Sequence, residues 1–237
     1  MFQYSGGAAA EPGFRIERVT FRNPMPLVQG FERIAAIIKA RGRPLTAFCA
    51  CELRSPAPFT DAGFRGFNEA LRRDPRQMGH LRRRPTKTNP VARSNVCPEI
   101  DPPAEPSFHA FSFTVAAAGE ACRPSWWPAA AKPGRAGPAT ASAPSATARP
   151  SAEAMREKAV FVLAEMERRL KLLGFTWAHT TATQVYTVHD LYPFLADEIV
   201  RRGAARGGLT WHFCRPPVQG LEYEMDCRGV AVEHSAE

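Results

Sequence analysis

The 237-residue sequence has no apolar run of the roughly 18–20 residues that a membrane-spanning helix needs. Residues 1–13 lack the basic start and apolar core of a secretory signal, so we expect a cytoplasmic protein that does not bind membranes. The six cysteines are scattered without CxxC or Cys/His spacing, which favours free thiols over a metal site. The sequence also contains no P-loop, no GxGxxG motif and no serine-nucleophile elbow.

Positive charge is concentrated in two stretches of the chain. The net charge is +8, of which residues 71–88 contribute +6 and residues 123–150 contribute +4, so the remainder is slightly acidic. Taken alone, the arginines between Arg72 and Arg84 would indicate a nucleic-acid partner. Such a partner would show itself as binding with a steep salt dependence.

The same two regions, residues 71–88 and 117–150, break the patterning around them. One interpretation is a basic loop and a disordered linker rich in Ala and Pro. The hypothesis that we favour is frame-shifted translation of a GC-rich gene, because such codons give Arg, Ala, Pro and Gly out of frame. Read one base earlier, the codons of Trp126-Trp127-Pro128 permit Val-Val-Ala, the first strand that the second half lacks. The stretches then carry no function and no nucleic-acid binding, and an unbroken frame on resequencing would contradict this.

The chain repeats one structural plan, over residues 31–59 and 166–194. In each copy an amphipathic helix ends at a glycine (Gly42, Gly174), followed by a short strand and a Pro-Phe pair that opens a second helix. Two strand-like runs close each half. We therefore predict an α+β fold of two tandem β-α-β-α-β-β domains, residues 1–116 and 151–237, each a sheet with its helices on one face.

Residue periodicity and capping residues give the predicted elements. For the first half these are strands over Phe14–Phe21, Leu45–Leu53, Val91–Cys97 and Ser107–Val115, with helices over Val28–Arg41 and Thr60–Ala70. For the second half they are a long helix capped by Ser151, a helix over Leu191–Arg202, and strands over Thr181–Val188, Leu209–Cys214 and Leu221–Val232.

The strongest local signal for chemistry is the segment from Val91 to Val96, which reads Val-Ala-Arg-Ser-Asn-Val. An arginine that begins a strand beside small polar residues can present two parallel donors to a carboxylate. Spacing alone nevertheless favours a structural salt bridge or a solvated side chain for Arg93.

This Ala-Arg-Ser, the order of elements and the tail Gly220–Asp226 resemble the reactive-intermediate deaminase (Rid) family, whose domains have a chorismate-mutase-like fold. The longer runs Asn89–Asn95, Ala182–Asp190 and Gly208–His212 are similar to the tandem 2-aminomuconate and 2-amino-5-chloromuconate deaminases. The resemblance implies hydrolysis of an enamine or imine 2-amino-dienoic acid to a 2-oxo acid and ammonia, without metal or cofactor. It also implies a small amino-dicarboxylate substrate and a homo-oligomer, with a trimer favoured.

Two catalytic residues are implied by the resemblance. Arg93 matches the arginine that binds the substrate carboxylate, and Glu224 matches the glutamate that holds the attacking water. The second half has Leu209 where the first has Arg93, and the first half has no acid at residues 108–110 where the second has Glu224. Either one composite site forms where halves or subunits meet, or only the first-half pocket is active.

Further residues are substrate-binding candidates. Ser94 and Asn95 would shape the pocket beside Arg93, and Arg215 is the candidate second cation for a dicarboxylate. Trp211 and His212 point to opposite faces of one strand, so at most one of them faces a given pocket. The competing hypothesis is a non-catalytic Rid-like protein that binds small carboxylates, which would bind ligand without releasing ammonia.

Overall fold

The computed structural model describes residues 7–73, 91–117, 125–128 and 150–237. Its strands are β1 Gly7–Ala9, β2 Phe14–Pro26, β3 Phe48–Arg54, β4 Ala92–Pro98, β5 Ser107–Ala116, β6 Trp126–Pro128, β7 Ala182–Tyr186, β8 Leu209–His212, β9 Cys214–Arg215, β10 Glu224–Arg228 and β11 Val232–Ala236. Its helices are α1 Leu27–Ala40, α2 Asp61–Arg73, α3 Ala152–Leu172 and α4 Tyr192–Phe194, which continues as a π-helical segment over Leu195–Val200. The predicted α+β class is confirmed. Within the described ranges, no helix is long and apolar enough to cross a membrane.

The strands form a first sheet in the order β11-β2-β5-β3-β4-β9 and a second sheet in the order β10-β7-β8. Strand β6 adjoins the second sheet through an antiparallel bridge between Trp126 and Gly229, and β1 pairs with β6. The runs β2-β5-β3-β4 and β6-β10-β7-β8 therefore match. In each run the first strand along the chain lies at one end, and the last, second and third strands follow it across the sheet. In each run the successive pairings are antiparallel, antiparallel and parallel.

Each end of the chain pairs with the half to which it does not belong in sequence. Strand β1 adds to the edge of the second half, whereas β11 pairs in parallel with β2 at the edge of the first sheet. The single strand predicted over Leu221–Val232 is therefore wrong in extent, because the chain leaves the second sheet after β10. Strand β9 also crosses and pairs with the end of β4.

The first strand that the second half was expected to lack is present as β6 at Trp126–Pro128, which corrects that expectation. Trp126 is fully buried and stacks on Phe175, with ring centroids 5.2 Å apart. Most of the two anomalous stretches, at residues 74–90, 118–124 and 129–149, lies outside the described residues. The frameshift hypothesis stays a prediction for sequencing.

The predicted helix boundaries follow from local chemistry. Gly42 and Gly174 have φ of 66° and 85°, the left-handed conformation that ends a helix most easily at glycine. Ser151 Oγ accepts from the backbone N–H of Ala154, and Thr60 Oγ1 accepts from that of Gly63. These contacts satisfy N–H groups that have no partner within their own helix.

Each sheet buries one face against its helices. The first core joins α1 and α2 to the first sheet through a buried set that includes Phe31, Ile34, Ile38, Leu71, Phe111 and Phe113. The second core joins α3 and α4 to the second sheet through a set that includes Met155, Val162, Met166, Phe194, Val185 and Met225. The opposite faces, free of helices, contact each other and hold the polar residues described below.

Replacing Gly30 with alanine is expected to lower the free energy of unfolding by about 1–3 kcal/mol, because a Cβ there overlaps the buried ring of Phe108. The ring has little room to move, since it packs edge-on against Phe31 with centroids 4.9 Å apart. The matched control is Gly66→Ala in α2, where a Cβ meets nothing within 4 Å. That control is expected to gain roughly 0.5–1 kcal/mol in urea unfolding from helix propensity. Equal effects of the two substitutions would contradict the close approach.

Candidate active site

A polar cluster lies between the helix-free faces of the two sheets. Because side chains alternate along a strand, Cys51 and Leu53 enter the first core while Glu52 and Arg54 face the second sheet. On β7, Val185 likewise enters the second core. The cluster, called the inter-sheet cluster below, consists of Arg18, Glu52, Arg54, His109, Gln184, Tyr186, His212 and Asp226.

A chain of hydrogen bonds joins the two sheets. Arg18 Nε donates to Glu52 Oε1 over 2.6 Å, and Gln184 Nε2 donates to Glu52 Oε2 over 3.2 Å. Gln184 Nε2 also donates to Asp226 Oδ1 over 2.8 Å, and Tyr186 donates its hydroxyl proton to Asp226 Oδ2 over 2.9 Å. All five side chains are buried, so these bonds form in a region of low dielectric.

The network assigns the tautomer of His212. The amide nitrogen of Gln184 donates to two carboxylates, so its carbonyl oxygen is the atom that faces His212 Nε2, 3.1 Å away. His212 therefore carries its proton on Nε2 and keeps Nδ1 as an acceptor. Its ring stacks on Tyr186 with centroids 5.0 Å apart. The result is a base held in one orientation.

Both histidines of the cluster are neutral at neutral pH. Burial lowers the pKa of His109 to about 3 and that of His212 to about 4, and the charge of Arg54 acts in the same direction. His109 occupies an irregularity in the pairing of β3 with β5, and its ring centroid lies 6.5 Å from that of His212. Bulges of this kind redirect a side chain, and here the histidine joins the cluster.

The two buried carboxylates have opposite pKa shifts. Burial opposes ionisation of Glu52, but the charge and hydrogen bond of Arg18 outweigh it and hold the pKa of that carboxyl well below its usual range. Burial and the nearby charge of Glu52 raise the pKa of Asp226. Asp226 therefore holds a proton more readily than Glu52 does, although Gln184 and Tyr186 both donate to it.

Arg54 belongs to the inter-sheet cluster and is 4% exposed. Its Nη1 donates to the backbone oxygen of Leu53 over 3.0 Å, and its guanidinium lies 5.5 Å from the ring centroid of Tyr186. Its Nη2 is buried and has no hydrogen-bond partner among the described residues. The sequence offers a signal for this site, since Glu52 and Arg54 are charges at alternate positions of an otherwise apolar strand.

The structure separates the two predicted catalytic residues. Arg93 pairs with Cys51 across β4 and β3, so it faces the helix side of the first sheet, where it is partly exposed. Glu224 pairs with Tyr186, so it faces the inter-sheet cluster and is fully buried. The two side chains thus lie on different faces of different sheets.

Ser94 and Asn95, the predicted substrate-binding residues beside Arg93, also lie on opposite faces of the first sheet. Asn95 is on the same side as Arg93, and its Oδ1 accepts from Ser55 Oγ over 2.9 Å. Its buried Nδ2 has no hydrogen-bond partner within the described ranges. Ser94 faces the other way, beside Glu52, and its Oγ likewise finds no partner in the described part of the chain. Arg93 and Asn95 therefore share one face, and Ser94 belongs with the inter-sheet cluster.

The remaining candidates lie near the surface or in the cluster. Arg215 forms a bidentate ion pair with Glu99, at 2.6 and 3.0 Å. Trp211 is 40% exposed and donates its indole N–H to the backbone oxygen of Thr187. His212 faces inward, so the two neighbours do point to opposite faces. Sequence reasoning did not identify Arg18, Glu52, Arg54, His109, Gln184 or Asp226.

Comparison with known proteins gives a consistent result. The family model described as 2-aminomuconate deaminase CnbZ matches residues 1–234. The 2-amino-5-chloromuconate deaminase of Comamonas testosteroni is 48% identical over an alignment of 238 residues, covering 98% of this chain and 92% of that protein. A crystal structure of chorismatase is similar at 12% identity and a TM-score of 0.44, over 95% of this chain and 77% of that one. The resemblance to the aminomuconate deaminases is thereby confirmed.

Proposed function

The chain belongs to the CnbZ family of 2-aminomuconate deaminases, and from this we propose that it deaminates a 2-aminomuconate-type acid by hydrolysis. The observation that carries the proposal is 48% identity to a 2-amino-5-chloromuconate deaminase over 98% of the chain. The alignment with that relative spans both halves of the chain. The tandem Rid-like domains, residues 1–116 and 151–237, are part of this proposal, and the equal strand order of the two halves supports them.

The proposed reaction uses water and the substrate alone. The 2-amino-dienoate tautomerises from enamine to imine, and water adds to the imine carbon to give a tetrahedral carbinolamine. Ammonia leaves with a proton from the new hydroxyl group, and the carbon becomes the carbonyl of a 2-oxo acid. One water is consumed and one ammonia is released, so the step needs proton transfers at fixed positions and no oxidant.

We assign to Arg93 the binding of a substrate carboxylate and to Glu224 the orientation of the attacking water, as the resemblance implies. The open Nδ2 of Asn95, on the same face as Arg93, supports a ligand there. Glu224 lies beside Tyr186, and this ring is stacked on His212, whose Nδ1 is an acceptor. Because these two side chains lie on different faces within one chain, a composite site would join Arg93 of the partner subunit to Glu224 of this one. The trimer and the cytoplasmic location stay predictions.

The test is ammonia release from 2-aminomuconate by the purified protein, measured together with the 2-oxo acid. Arg93→Ala is expected to lower kcat/KM by roughly 10- to 100-fold, because a charge-assisted hydrogen bond contributes about 1.5–3 kcal/mol. The control is Arg201→Ala, which removes a side chain that is 79% exposed and should retain activity. Binding of 2-aminomuconate without ammonia release would instead support the carboxylate-binding protein.

A further inference from the structure

Arg54 is a buried cation whose hydrogen-bonding capacity is incompletely used. Its guanidinium is held by the carbonyl of Leu53 and by the ring of Tyr186, while Nη2 has no hydrogen-bond partner in the part of the chain that the structure describes. A buried charge is costly unless it is paired and hydrogen-bonded. The open nitrogen therefore marks a position where an anion would be strongly favoured.

The carboxylates around Arg54 are already engaged with other groups. Glu52 accepts from Arg18 through one oxygen and from Gln184 through the other. Asp226 accepts from Gln184 and from Tyr186. The charge of Arg54 helps to lower the pKa of Glu52 and disfavours protonation of His109 and His212, but it acts on these groups through space. None of these contacts supplies Nη2 with an acceptor.

The surroundings of Arg54 suit a flat unsaturated acid. Tyr186 and His212 present stacked rings, and the hydroxyl of Ser94 offers a further open polar atom on the same face. His109 and His212 are only partly buried, so the cluster reaches solvent at these two rings. Glu224 lies on the same face, next to Tyr186 in the sheet. A ligand that enters past the histidines would meet the guanidinium at one end.

We propose that Arg54 binds a carboxylate group of the substrate between the two sheets. This inference rests on the proposed deaminase function and assigns to Arg54 the second-cation role predicted for Arg215. Glu99 already holds Arg215 through two hydrogen bonds near the surface. The planar fork of an arginine binds a carboxylate through two parallel N–H groups, which fixes its direction.

The experiment compares two unreactive probes, muconate and its monomethyl ester, by calorimetric titration of five proteins. The wild type is expected to bind the diacid roughly 10- to 100-fold more tightly than the monoester, as one charge-assisted contact predicts. In Arg54→Met the diacid should bind weaker by the same factor, and the preference should fall to about one, since no cation remains to distinguish the second carboxylate. Arg201→Met, which removes an exposed charge, should keep the wild-type preference. The fourth and fifth proteins are Arg54→Lys and Arg215→Met.

A wild-type preference retained in Arg54→Met would overturn the proposal, as would loss of that preference in Arg215→Met alone. If Arg54→Met fails to fold, Arg54→Lys decides, because it keeps the charge and loses the fork. Arg54→Lys should then prefer the diacid over the monoester less strongly than the wild type does. A preference equal to that of the wild type would overturn the proposal. Ammonia release by the wild type is measured separately. An active enzyme whose diacid preference ignores Arg54 refutes this inference and leaves the deaminase function standing.

Discussion

Replacing Glu52 with alanine is expected to lower the free energy of unfolding by about 3–5 kcal/mol, because it leaves the buried guanidinium of Arg18 without its nearest counter-charge. Glu52 is 1% exposed and accepts hydrogen bonds from both sheets, through Arg18 and Gln184. Among the described residues, Arg18 then keeps its contacts with Thr20 and with Glu233, which is 35% exposed. Urea denaturation at pH 7 measures the change.

Two further variants separate the charge effect from loss of packing. Glu32 is exposed on α1, so Glu32→Ala should change the free energy of unfolding by less than about 0.5 kcal/mol. The double variant Arg18→Met with Glu52→Leu replaces both charges by apolar groups. Its free energy of unfolding should be much closer to that of the wild type than that of Glu52→Ala is. A double variant as unstable as the single one would show that volume, not an unpaired charge, sets the cost.

The local parts of this fold could be predicted because short segments specify them. The buried stripe of α3 follows from helical spacing, its first residue from the cap at Ser151, and the helix ends from Gly42 and Gly174. The repeated order of elements predicted two similar halves, and the strand runs β2-β5-β3-β4 and β6-β10-β7-β8 share one order of pairings. The pairing of β1 with the second half and of β11 with the first was not predictable in this way. The partners of these strands are distant in sequence, and no turn residue signals which sheet an edge strand joins.

The candidate site was harder to predict because its contacts join distant residues. Alternation along β3 indicates that Glu52 and Arg54 share a face, but Glu52 contacts Gln184, which is 132 residues away. Whether a charge on a strand faces solvent or a second sheet depends on how the halves pack. The same limit applies to Arg215, whose acidic partner Glu99 is 116 residues distant. The resemblance identified the aminomuconate deaminases, which the comparisons confirmed, but it did not indicate that Arg93 and Glu224 face different sides.

Acidification from about pH 7 to about pH 5 is expected to lower the free energy of unfolding by roughly 1–2 kcal/mol for each of His109 and His212. Their pKa values in the folded protein, about 3 and about 4, lie below the ordinary value of 6.5 because burial and Arg54 disfavour the charged form. The unfolded chain therefore binds more protons as the pH falls below about 6.5, so stability present at neutral pH is lost toward the folded pKa values. Denaturant unfolding at about pH 7, 6 and 5 measures the slope.

The double variant His109→Gln with His212→Gln identifies the source of that slope. Glutamine does not titrate, so the variant should lose little stability between about pH 7 and about pH 5. Glu52, whose folded pKa is lowered, reduces the free energy of unfolding only at lower pH, where its carboxylate is protonated in the unfolded chain. Asp226, whose folded pKa is raised, acts in the opposite direction. If the double variant and the wild type lose stability equally over this range, the two histidines are not the groups that destabilise the protein in acid.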